Sequence, residues 1–223
     1  MKSTSPKLSI FETFKTKREQ LTGEANRQRH IICHLAKEES STLMTRTAIA
    51  QDIAEKNNLL WKNIYSGVFR DLDEVLIPLD IVKEAGRLPL KRGPKALQEK
   101  GIPHYQLTAK GLLVALSIEE SDNKSSILTR FLSKSEIKEK EFADAIVTLA
   151  KISPNFTYSM FEIYVKAYCD GKLKNLLPLN VSEFHKYSKN SFVIQNELLN
   201  GFMTLSKSKK TDILNFFAKF IEH

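Results

Sequence analysis

The sequence has little cysteine and no long apolar run. Cys33 and Cys169 are the only two cysteines among 223 residues, without a CxxC spacing, which excludes a disulfide framework and a zinc ribbon. No stretch approaches the about 18 consecutive apolar residues of a membrane span, and the start lacks the apolar region of a secretory signal. We therefore expect a soluble protein of a reducing, cytoplasmic compartment that has no membrane partner.

Motifs of catalysis are also missing. The sequence contains no GxxxxGK[ST], GxGxxG, HExxH or GxSxG pattern, so phosphate cradles, zincin sites and nucleophile elbows are not predicted. His30 and His34 share a helix face with Cys33 between them, but no neighbouring carboxylate or second cysteine completes a metal site in the sequence. We interpret them as a packed or surface pair. The sequence predicts no enzyme, no metal and no cofactor.

Positive charge is abundant and uneven. Lys and Arg number 34 against 26 Asp and Glu, a formal net charge of +8, which favours a polyanionic partner. Residues 1–118 hold 19 cations and 13 anions, whereas 119–223 hold 15 and 13. Ten of the 13 Phe lie in the second part. The two parts therefore have different functions.

A polar run at 119–126, EESDNKSS, has the composition of a linker. We predict an N-terminal extension (1–23), whose first residues form a frayed tail, a first domain (24–118), a linker (119–125) and a second domain (126–223). The length of the chain fits two modest domains.

Three helices open the first domain. An apolar stripe predicts a helix over 24–37, and Thr45 is the candidate N-cap of a second helix over 46–56. Asn57 and Asn58 supply a tight turn, because Asn tolerates a left-handed backbone. A third helix is predicted over 60–76, with Tyr65, Phe69 and Leu72 on its core side. Pro78 ends it.

A β-hairpin with a basic tip follows. Residues 79–84 and 104–108 alternate in polarity, and Gly86 to Gly101 connects them. The span 83–110 holds seven cations and two anions, so it carries most of the net charge. Pro94 and Gly101 flank a stretch that predicts a single helical turn at the tip.

The segment Tyr105-Gln-Leu-Thr-Ala-Lys-Gly111 resembles the Y-x-L-T-x-x-G signature that ends the wing of bacterial and archaeal winged-helix transcription regulators. The longer run KRGPKALQEKGIPHYQLTAKG resembles the wing of archaeal members. The resemblance covers about 24–118, and it places Tyr105 and Leu107 in the core, with Thr108 as cap of the next helix. The wing is longer than usual, and Gly111 stands where a capping-box carboxylate would be.

The resemblance implies sequence-specific binding of double-stranded DNA, with the third helix in the major groove and the wing on flanking DNA. Lys62, Asn63, Ser66 and Arg70 project from the side opposite the predicted core, and their side chains can read base edges or phosphates. Thr45, Arg46 and Thr47 offer a helix N-terminus to a phosphate. The wing adds cations for the backbone: Arg87, Lys91, Arg92 and Lys95.

Two interpretations that do not involve specific DNA binding stay open. A charged helix face is usually a solvated face, and winged helices also serve as protein-interaction or assembly modules without specific DNA binding. Trp61, the only Trp, is interpreted as a core anchor rather than a base-stacking residue.

The sequence predicts helices throughout the second part of the chain. Candidates are 126–132, 136–152 with Ser135 as N-cap, 156–169, 181–187, 192–205 and 211–221. The last of these is apolar around more than half its circumference, which favours a homodimer or another partner helix. We therefore predict a mainly α fold: an α+β winged helix with a short β-hairpin, then an all-α C-terminal domain. The predicted protein is a nucleoid-associated transcription regulator.

Overall fold

The structure is a computed structural model that describes residues 6–90, 99–135, 137 and 140–221, with side chains to 218. As expected, it is mainly helical and its sheet has two antiparallel strands. The elements are α1 (Gly23–Lys37), α2 (Arg46–Lys56), α3 (Trp61–Arg70), a π-helix (Asp71–Leu76), β1 (Val82–Leu88), β2 (Ile102–Leu107), α4 (Ala109–Leu116), α5 (Lys124–Lys134), α6 (Lys140–Ile152), α7 (Pro154–Cys169), α8 (Val181–Thr204) and α9 (Lys207–Ile221).

Local capping signals set the first two helices. The Thr22 hydroxyl accepts a hydrogen bond from the Ala25 amide, and the Thr45 hydroxyl accepts one from Ala48, so both helices begin with a satisfied amide. The predicted stripe of α1 is buried. Asn58 adopts φ 52° between α2 and α3, which confirms the predicted left-handed turn.

The third helix differs from its prediction in two ways. It changes from α to π geometry at Asp71 and continues to Leu76. The buried residues of α3 and the π-helix are Val68, Asp71, Leu72 and Leu76. Phe69 was predicted on the core side, which is wrong: its side chain is 43% exposed. Trp61 is half-buried and meets Tyr65 edge to face at 5.8 Å.

The hairpin forms, although β1 starts three residues later than predicted. Val82 pairs with Leu107, and the register shifts between Glu84 and Gly86. The chain before α2 joins the hairpin: the Tyr105 amide donates to the Met44 carbonyl at 3.0 Å, and Thr45 forms an isolated bridge with His104. The hairpin is therefore fixed to the start of α2. Most of the predicted helical turn at the tip lies outside the described residues.

The predicted domain division differs from the structure. α4 packs against α1, α5 and α7, so the segment predicted as a linker lies inside one compact unit that extends to Val181. A second unit begins at Ser182. Polar composition misled the prediction because a loop between packed helices has the same composition as a linker.

Two smaller predictions are also corrected. Leu8 and Ile10 are buried, and the Ser9 amide donates to the Gln28 side chain at 2.9 Å, so the end of the predicted tail is part of the core. Ser135 is the C-cap of α5, and residues 136, 138 and 139, where the next helix was predicted to begin, lie outside the described residues. α8 is continuous where two helices were predicted. Within the described part of the chain, no helix combines the length and the apolar character needed to cross a membrane.

Candidate nucleic-acid interface

A polar stripe runs along the exposed side of α3. Lys62, Ser66 and Arg70 follow one another at intervals of four residues, Asn63 lies beside them, and all four are exposed. Neither Lys62 nor Arg70 forms a salt bridge with another described residue. The geometry that the sequence predicted for these side chains is therefore present, and both cations are available to an anionic ligand.

A groove lies between this stripe and α1. Its volume is about 550 Å³, and Asn63, Ser66 and Arg70 form one wall. Asn26 and His30 of α1 and Asn57 of the turn contribute further polar groups. These three were not among the predicted site residues, because only the packing of α1 against α3 brings them to the groove.

A buried ion pair holds α3 against α1. Arg27 donates from Nε to Asp71 Oδ2 at 2.5 Å and from Nη2 to Oδ1 at 3.2 Å, and the Asp71 side chain has no exposed surface. Burial raises the pKa of the Asp71 carboxyl above its usual value, although Arg27 acts in the opposite direction. A Cβ on Gly67 would lie 2.8 Å from Arg27 Nε, so a glycine at this position leaves room for the guanidinium of Arg27.

The start of α2 contributes less than the sequence predicted. Thr45 is buried, and its hydroxyl caps the helix. Arg46 forms an ion pair with Asp73, and its guanidinium lies over the rings of Phe69 and Tyr105, 4.1 and 5.3 Å from their centroids. Only Thr47 is exposed among the three predicted phosphate contacts. No sequence pattern distinguishes such a structural arginine from a ligand-binding one, because the anion comes from a different helix.

The described part of the hairpin carries its charge unevenly. Arg87 donates from Nε to Glu84 at 2.7 Å and from Nη2 to the other carboxylate oxygen at 3.3 Å, so part of its charge is neutralised. Lys83 is exposed on the same strand. Lys91, Arg92 and Lys95, the other predicted wing contacts, lie outside the described residues.

Two cations of α5, Arg130 and Lys134, add positive charge near the hairpin. Burial, together with the positive charges of Arg130 and Lys83, lowers the pKa of Lys134. Arg130 also donates from Nη1 to the Ala36 carbonyl at 2.7 Å and so closes the end of α1. Sequence reasoning missed these residues because they follow the predicted linker and reach Lys83 only in the folded chain.

The seven-residue signature has a structural explanation. Tyr105 and Leu107 are buried, as expected. The Thr108 hydroxyl donates to the Asp80 carbonyl at 2.6 Å and accepts from the Gly111 amide at 3.1 Å. A Cβ on Gly111 would lie 2.1 Å from the Ile81 carbonyl oxygen. The signature therefore joins β2, α4 and the chain before β1.

The two histidines of α1 have different surroundings: His30 lines the groove beside the stripe, whereas His34 contacts Leu43 and Asp52. His34 is buried, with Nε2 2.8 Å from the Leu43 carbonyl and Nδ1 3.1 Å from Asp52, so it is a packed residue with a carboxylate neighbour that the sequence did not indicate. Burial raises the pKa of the Cys33 thiol beside it to about 11, which makes this thiol a poor nucleophile at neutral pH. No cluster of three or more His, Cys, Asp or Glu suited to a metal occurs among the described residues.

Comparison with known proteins gives no assignment: no family model, no curated protein and no solved structure matches the chain.

Proposed function

We propose that the protein is a sequence-specific transcriptional regulator that binds double-stranded DNA through α3. The observation that carries the proposal is the stripe of Lys62, Ser66 and Arg70, which is exposed and has no carboxylate paired with either cation among the described residues. The major groove is about 12 Å wide and admits one α-helix. Such a role would place the protein on the nucleoid.

The side chains of the stripe suit both base and phosphate contacts. Arg70 can donate two hydrogen bonds to guanine, and Asn63 can bind the edge of adenine. Lys62 can reach a guanine or a phosphate, and Ser66 accepts or donates as the base requires. The ion pair of Arg27 and Asp71 limits rotation of α3, and a rigid reading helix favours specificity.

Phosphate contacts beside the stripe come from α2 and the wing. The first turn of α2 has no acidic residue, and its amides and Thr47 can bind a phosphate at the positive end of the helix dipole. Lys83, Lys91, Arg92 and Lys95 supply charge along the flanking backbone. Arg46 stabilises this surface through its contacts with Asp73, Phe69 and Tyr105 and does not itself bind DNA.

Selection of bound duplexes from a random pool tests the proposal directly. We expect enrichment of one short sequence. Fluorescence anisotropy on the enriched duplex, over a series of salt concentrations, then separates the contributions. K62A/R70A should lower affinity for the enriched duplex more than for a random one. K91A/R92A/K95A should weaken both and reduce the salt slope by up to about three contacts, at about 0.9 each.

K15A/K174A is the matched control for the stripe variant, because it removes two exposed cations outside the stripe and the hairpin. We expect this control to bind the enriched duplex like the original chain. A pool without enrichment, or equal loss of affinity in K62A/R70A and K15A/K174A, would contradict the proposal.

A protein-interaction module is the second candidate function. Leu59 and Leu60, at the start of α3, are 56% and 72% exposed, and Phe69 is exposed on the helix itself. Exposed apolar side chains beside a helix favour a protein partner. In that case, no duplex should be enriched, and L60S should weaken partner binding in a way that added salt does not reproduce.

A further inference from the structure

Helices α8 and α9 expose an extensive apolar surface. Its members are Val193, Ile194, Leu198, Leu199 and Met203 of α8 and Ile213, Leu214 and Phe217 of α9, and we call them the C-terminal apolar surface. From residue 190 to residue 205 the only charged side chain is Glu197. No residue from 189 to 218 is buried. The sequence predicts an exposed apolar face only on the last helix, whereas α8 exposes more apolar residues than α9.

The apolar residues of α8 do not form a single stripe. At 100° per residue, Val193, Ile194, Leu198, Leu199 and Met203 are distributed around most of the helix. A helix that is apolar all round is one that is buried from several sides. The two helices meet where the chain turns between them: Lys210 Nζ donates to the Met203 carbonyl at 3.2 Å and lies 5.8 Å from the centroid of the Phe202 ring. These contacts leave the members of the C-terminal apolar surface exposed.

The exposed area matches a stable protein interface. The eight side chains of the C-terminal apolar surface are on average about half exposed. Together they expose several hundred Å² of apolar surface in each chain, which is more than a soluble monomer usually leaves uncovered. A standard-size interface buries about 800 Å² on each partner. The exposed apolar area is thus of the order that an interface between two folded chains buries.

We propose that a second copy of this chain covers the C-terminal apolar surface, with α8 and α9 of both copies forming a four-helix arrangement about a two-fold axis. A single partner helix would cover only one side of α8, whereas a second copy brings two apolar helices. Because residues 190–205 carry almost no charge, a partner needs no opposite charge to bind them. An apolar surface of equal extent is the best match for this segment. Two-fold symmetry lets the same patch serve on both chains.

Sedimentation velocity of the full chain over a range of concentrations tests the proposal. We expect a species of twice the chain mass of 25.5 kDa, which persists when salt is raised to about 1 M because apolar contacts are not screened. L199K places a charge within the surface and should raise the dissociation constant of the dimer at least tenfold. M203K, on another side of α8, is a second variant with the same expected effect.

N190K is the matched control, because it adds the same charge to the same helix before the surface begins. It should sediment like the original chain, and circular dichroism should show equal helix content in all four proteins. A chain that stays monomeric at every concentration overturns the proposal. So does a dimer that L199K and M203K leave unchanged, or a monomer that floats with phosphatidylserine vesicles, which would indicate a lipid surface instead.

Discussion

At the scale of single residues, Gly111 shows why the Y-x-L-T-x-x-G segment has its form. A Cβ at this position would lie 2.1 Å from the Ile81 carbonyl oxygen, and a backbone atom cannot move aside as a flexible side chain can. We expect G111A to lower the free energy of unfolding by about 2–3 kcal/mol. Urea unfolding followed by circular dichroism measures this.

The control for that variant is G23A. A Cβ on Gly23 meets nothing within 4 Å, and Gly23 is the first residue of α1. We expect its stability to stay within about 1 kcal/mol of the original chain, in the stabilising direction. Equal stability of G111A and the original chain would show that α4 lies further from Ile81 than the structure places it.

The stability of an Arg46 variant distinguishes a structural cation from a ligand-binding one. Its guanidinium pairs with Asp73 and lies over Phe69 and Tyr105, so R46A should lower the free energy of unfolding by about 1–2 kcal/mol. K62A and R70A remove exposed cations and should change it by less than about 0.5 kcal/mol. Thermal unfolding of the three variants measures the difference. The opposite order would make Arg46 a surface residue available for phosphate.

At the scale of elements, the helix caps and the turn that depend only on neighbouring residues were predicted correctly from the sequence. Thr45, Asn58 and Thr108 act within four residues along the chain, and their caps and turn lie where predicted. Exposure of Phe69 and the ion pair of Arg46 depend on where α2, α3 and β2 meet, which no local pattern encodes. The stripe was predictable because the helical period alone sets it. The groove beside it was not, since α1 forms its other wall.

One buried carboxylate, that of Asp71 at the junction of α3 and the π-helix, joins this part of the chain to α1. D71A leaves the Arg27 guanidinium, whose side chain is only 20% exposed, without its ion-pair partner. We expect a loss of about 3–5 kcal/mol in the free energy of unfolding. The double variant R27A/D71A should lose less than the two single variants together, by about 2 kcal/mol. Urea unfolding gives all four values, and strict additivity would show that the pair does not couple α1 to α3.

At the scale of the whole molecule, the net charge of +8 does not show which cations are available to a ligand. Arg27, Arg29, Arg46 and Arg87 all form ion pairs with carboxylates of the same chain. Fewer cations than the sequence counts are therefore available to a polyanion. Those of α3 and the hairpin belong to the first compact unit, whereas the C-terminal apolar surface belongs to the second.

The two units should act together on DNA that carries two copies of the selected sequence. When a dimer binds one copy, its second α3 is held near the other, at an effective concentration of order millimolar. We expect a duplex with two inverted copies, one helical turn apart, to bind about 10²-fold more tightly than a duplex with one. L199K should remove this gain while leaving single-copy affinity unchanged, and K62A/R70A should weaken both duplexes. Anisotropy titrations at chain concentrations above the dissociation constant of the original dimer and below that of L199K measure the difference. A gain that persists in L199K would mean that contacts outside the C-terminal apolar surface join the two copies.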